Sequence, residues 1–225
     1  MPLEFALAAA FIALTLWLVV VTIRASQQRK VARAGYFDAV KPLFDRVVCR
    51  LEPTGFPRAT CHFGPHAFDL QALPDSLTFR KLPALWIMVS LPEALPLRAT
   101  LDIMARPTGQ EPFSRFASLP LSWPCPAFLP AGTGVRSDDG TRMWPEDLIA
   151  RHADVFADPR VKELLISPKG LRIVLLGDEA ERGRYLIFRD AEVGLDPLAP
   201  ARLLPILQML VSLRDDLMAR HKDAA

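Results

Sequence analysis

From Phe5 to Ile23 the chain reads FALAAAFIALTLWLVVVTI, nineteen residues without a charge. As a helix rising about 1.5 Å per residue, such a stretch measures about 28 Å, which matches the hydrocarbon core of a bilayer. A backbone that crosses this core must satisfy its own polar groups, and a single segment does so only as a helix. A cleaved signal peptide carries basic residues before its apolar stretch and small residues at a cleavage site after it. Here Glu4 precedes the stretch, while Arg24, Arg29, Lys30 and Arg33 follow it. That order predicts an uncleaved single-pass anchor over residues 1–25, seated in the bilayer through residues 5–23, with a soluble portion over 26–225. Basic flanks stay on the cytoplasmic side, so the soluble portion is expected there, and the same four cations can rest on anionic headgroups. Six lysines against 21 arginines, and no asparagine, point to a GC-rich bacterial genome and hence to the inner membrane.

The soluble portion has enough apolar content to bury a core, since 51% of the chain is hydrophobic and 23% charged. A net charge of +2 gives no basis for nucleic-acid binding. Cys49, Cys61 and Cys125 cannot all pair within one chain, which fits a reducing compartment.

Tyr36, Phe37, Val40, Leu43, Phe44, Val47, Val48 and Leu51 recur at steps of three and four, the stripe of an amphipathic helix interrupted by Pro42. Between Arg58 and Arg106, short apolar runs separated by turn residues predict an antiparallel meander. Its strands are expected near 59–63, 67–73, 77–82, 85–91 and 97–105. The run at 85–91 is apolar on both sides and suits a central strand. In 97–105, Arg98, Thr100 and Asp102 alternate with apolar residues, which predicts one solvated face. Prolines at 107, 112, 120, 124, 126 and 130 leave 107–131 as a long ordered loop pinned by Trp123 and Phe128.

Beyond the loop, Trp144-Pro145-Glu146-Asp147 opens one helix and Asp158-Pro159 another, an aspartate cap with proline at the first helical position. Residues 171–177 and 184–190 then predict a hairpin around the charged loop 178–183, followed by a helix over about 200–222. The expected fold is α+β: a transmembrane helix, an antiparallel β meander packed with helices, and a C-terminal helix-hairpin-helix unit. Residues 36–106 and 132–222 are possible sub-units on either side of the loop.

The residues that carry chemistry do not converge on a reaction. Cys61, His62 and His66 are candidate zinc ligands by type, yet neighbours on a strand point to opposite faces. Cys125, within Trp123-Pro124-Cys125-Pro126, has no cation nearby in sequence to activate its thiol. Gly132-Thr133-Gly134 begins like a dinucleotide loop but runs into the turn Asp138-Asp139-Gly140. The acidic pairs Asp138-Asp139, Asp178 with Glu179 and Glu181, and Asp215-Asp216 sit where solvated charge is expected. Arg172, Arg182, Arg184 and Arg189 gather on the expected second hairpin as a candidate anion site. No phosphate-loop, serine-elbow or zincin motif occurs in the chain.

In the last helix, Leu203, Ile206, Leu207, Leu210 and Leu213 belong to an apolar surface wider than one core-facing stripe needs, and they are candidates for a contact with a protein partner or a second copy. These features predict a non-catalytic, membrane-tethered accessory or scaffold domain without a cofactor. A sensor or ligand-binding module with a pocket under the proline-rich loop is the alternative, and an enzyme lacking familiar motifs comes third.

Overall fold

The structure is a computed structural model that describes residues 2–75, 82–139, 146–188 and 192–223. It is α+β, with an N-terminal helix, an open antiparallel sheet of nine strands and a C-terminal helix. The N-terminal helix α1 (Pro2–Ala34) has 33 residues. Its apolar stretch lies on the surface, with Phe5 72%, Phe11 71% and Trp17 60% exposed. Thr15 and Thr22 donate their hydroxyls to the carbonyls of Phe11 and Leu18, so these two hydroxyls are satisfied inside the helix.

The strands are β1 (Arg46–Leu51), β2 (Pro57–Phe63), β3 (His66–Asp75), β4 (Ala84–Leu91), β5 (Leu101–Ala105), β6 (Leu121–Trp123), β7 (Thr133–Ser137), β8 (Val161–Ser167) and β9 (Gly170–Glu179). Their spatial order is β1-β2-β3-β4-β9-β8-β5-β7-β6. The first four follow one another as a meander. The hairpin β8–β9, last in sequence, inserts between β4 and β5 and joins 36–106 to 132–222 in one sheet. Gly170 makes that hairpin possible: its φ is 129°, and a Cβ there would lie 2.1 Å from the Leu91 carbonyl oxygen.

One face of the sheet is covered by helices. Alternate residues such as Phe68, Leu70, Ile87, Val89, Ile103, Leu164 and Ile173 meet α2 (Glu146–His152) and α4 (Pro200–Asp223) in one apolar core. Tyr36 and Phe37 close the core where α1 ends, their rings edge-on at 5.6 Å. Burial pushes the Tyr36 hydroxyl up to about 12.

Several expectations change. The helix expected over 36–51 is a 3-10 turn (Asp38–Leu43) followed by β1, because Pro42 ends the helical turn and Val47 and Val48 suit a strand that β2 can pair. The helix expected from Asp158 is β8. The Asp158 carboxylate accepts the Arg160 amide at 2.9 Å as a turn, and 161–167 has strand partners on both edges. With β4 and β8 already flanking β9, residues 184–188 have no strand to join and lie in α3 (Arg182–Phe188). The expected helix-hairpin-helix unit is therefore rearranged.

The strand expected over 97–105 is confined to β5, and all five of its residues are buried, so its solvated face does not exist. The segment 107–131 contains a 3-10 turn (Phe116–Ser118) and the short edge strand β6. The expected strand at 77–82 lies almost wholly outside the described residues, as do Trp144, Pro145 and Arg189.

Candidate functional site

The candidate zinc ligands are held apart. Cys61 is fully buried on the helix-covered face, and its thiol, 3.7 Å from the Phe68 carbonyl, is pushed up to about 12 by burial. His62, one residue on, points to the opposite face. His66 Nδ1 lies 3.6 Å from a Glu93 carboxylate oxygen, and Glu93 in turn accepts from Arg214. Among the described residues, no group of three His, Cys, Asp or Glu side chains is placed to hold a metal ion.

The other sequence candidates are also accounted for locally. Gly134 lies under Phe116, whose ring would sit 2.6 Å from a Cβ at this position, so the Gly-Thr-Gly run makes room for a side chain and not for a phosphate. Asp138 accepts the Thr100 amide at 2.7 Å, and Asp178 accepts that of Gly194 at 2.8 Å. Asp216 is 2.9 Å from His152 Nε2, and Asp215 pairs with Arg214. Arg172 leaves the supposed arginine cluster: it is on β9 and binds Glu163. Leu203, Ile206, Leu207, Leu210 and Leu213 are all buried in the chain's own core, which withdraws them as partner contacts. Within the basic flank, Arg29 pairs with Glu192 at 2.8 Å, and Arg33 stacks over the Phe56 ring at 5.6 Å. These two cations fasten the end of α1 to the body.

Two clefts open on either side of the proline-rich segment. The first, about 290 Å³, lies on the helix-covered face near the β6 edge. Leu101 and Ile103 form its floor, Trp123 and Leu129 its walls, and Cys125 and Glu146 also line it. Most of the lining is apolar. The Trp123 indole N–H is buried and has no acceptor among the described residues, an arrangement that costs about 1–3 kcal/mol. Prolines 124 and 126 stiffen the wall beside it.

The second cleft, about 280 Å³, is on the other face, between Trp86 and the segment 108–113. At its edge Lys162 Nζ sits 3.2 Å from Glu111 and donates to the Arg106 carbonyl at 2.6 Å. Although burial pulls the other way, hydrogen bonds from Thr108 and the Lys162 ammonium hold the Glu111 carboxyl down at about 2. Deeper on the same face, Phe113 and Phe116 cover Met104 and Val174, with Asp102 and Glu163 nearby. Asp102 is 1% and Glu163 0% exposed. Arg172 donates to one Glu163 oxygen at 2.8 and 3.2 Å. Burial first, and then the charge of Glu163, raise Asp102 to about 8; burial raises Glu163 as well. At neutral pH the pair therefore retains a proton, and both carboxyls are sealed from any substrate.

Sequence reasoning missed these groups for two reasons. Alternation cannot say what covers a strand's second face, so Asp102 reads as solvated, and the Asp158-Pro159 pair places Glu163 in a helix. The signal that existed was the pair of phenylalanines, Phe113 and Phe116, within a proline-rich segment that has to bury them somewhere. In comparison with known proteins, no family model, curated protein or solved structure matches this chain.

Proposed function

We propose that this chain is a non-catalytic ligand-binding module tethered to the cytoplasmic face of a bacterial inner membrane. The observation that carries the ligand is the cleft at Trp123, a mostly apolar space of about 290 Å³ at the lower end of small-molecule pockets. An apolar body fits the lining. Glu146 among the lining residues disfavours an anion. The ligand class is thus small, neutral and apolar.

The tether rests on α1. It is long and apolar enough to cross a membrane, and its exposed apolar surface needs a cover that water does not supply. Residues 24–34 extend the helix by about 16 Å beyond the apolar stretch, so the body would sit close above the headgroups. Arg24, Arg29, Lys30 and Arg33 favour the cytoplasmic side.

The test uses the full chain in bilayer discs, with indole and 1-octanol as probes. Each is expected to raise the melting temperature and to slow alkylation of Cys125 relative to Cys49. Ile149→Trp, which fills the cleft, should remove both effects. Equal labelling of the two thiols at every probe concentration would refute the pocket. A reporter fused after residue 225 that is active only outside the cytoplasm would refute the orientation.

A further inference from the structure

The sheet ends in two unlike edges. On one side β6 has three residues set between Pro120 and Pro124, which lack the N–H that a further strand would need. On the other side β1 has six residues, contains no proline, and pairs only with β2 among the described strands. Glu52 donates its amide to Phe56 just past the strand end, so along the ladder the even-numbered residues turn their backbone groups to β2. Those of Val47, Cys49 and Leu51 turn outward. The same three side chains continue the row of Cys61, Ala59 and Pro57 on the helix-covered face, but they lie at or beyond the end of the core, and Leu51 is 62% exposed.

We infer that β1 is a self-pairing edge, at which two copies of this chain join antiparallel about a two-fold axis through Cys49. Register and charge select this occupant. A pairing that keeps the apolar faces together must be centred on a residue and not between two, because a one-residue slip turns every side chain to the wrong face. Two such registers pair five residues of the strand. Centred on Val48, the register sets Arg46 against Arg50 of the second copy and exchanges backbone bonds at two residue pairs. Centred on Cys49, it exchanges them at three, sets Val47 against Leu51, and brings Arg46 opposite Glu52. Glu52 already binds Arg50 of its own chain at 3.0 Å, so each Glu52 would lie between two arginines. Chains anchored in one bilayer meet at raised local concentration, which lets a short edge suffice.

The pairing is tested on full-length protein in bilayer discs or liposomes, in a Cys125→Ser background. With copper-phenanthroline as the added oxidant, two Cys49 thiols lose two protons and two electrons to form one disulfide. A covalent dimer is expected, and Cys49→Ser should abolish it. Arg46→Glu sets like charges opposite each other and should cut the dimer fraction at least about tenfold; adding Glu52→Arg should restore it. All four substituted positions are at the surface or its margin, and unchanged melting temperatures will confirm that the variants fold. Cross-linking indifferent to Arg46→Glu, or a monomer that instead takes up a foreign extended peptide along β1, would overturn the assignment.

Discussion

The two faces of the sheet solve the same packing problem with different materials. On the helix-covered face, apolar side chains of seven strands meet α2 and α4 in one continuous core. On the opposite face, a proline-rich segment of about two dozen residues lays Phe113 and Phe116 over a patch that also contains Asp102, Glu163 and Arg172. The first cover gains from area alone. The second must keep a carboxyl pair partly protonated and a guanidinium aimed, so it depends on charge and pH in a way the first does not.

The largest effect should come from Arg172→Met. It leaves Glu163 buried without its partner, and breaking such a pair costs about 3–5 kcal/mol, readable by urea unfolding of the full chain in detergent. Retention of wild-type stability would mean that Glu163 is already neutral in the native state. On the helical face, Leu207→Ala should cost about 2–5 kcal/mol through lost contacts and a cavity, with no change in pH dependence. A cost that varies with pH would break the division between the faces.

The subtlest test is Asp102→Asn. Because Asp102 is raised from its ordinary value to about 8 in the folded chain, the native state binds the extra proton. Its contribution to stability is fully present below about pH 4 and is lost as pH rises through about 8. The amide should flatten much of that decline, leaving the part due to Glu163, which is raised in the same direction. An unchanged slope of melting temperature against pH would exclude Asp102 as its source.

Several elements were legible from residues alone. The segments β2 to β4, α2 and α4 carry periodic patterns or unambiguous turn residues and appear within a few positions of where those patterns place them, while the apolar helix expected over 5–23 continues to Ala34. Cys61 and His62 could be separated as ligands by strand alternation. Short segments were not legible in this way: 46–51 and 161–167 fit a helical stripe as well as a strand, and only a partner strand on each available edge decides between them.

The sequence by itself determined that a helix with a charge-free apolar stretch leads into an α+β body with apolar strands and a long amphipathic C-terminal helix, because periodicity and turn chemistry act within a few residues. Only the tertiary structure decided that β8 and β9 enter the middle of the sheet, that the width of α4 is consumed by the chain's own core, and that Asp102 and Glu163 lie in the dark beneath two phenylalanines. Those outcomes depend on contacts between residues far apart in the chain, and the free energy of burying a side chain is set by what covers it, which no local pattern encodes.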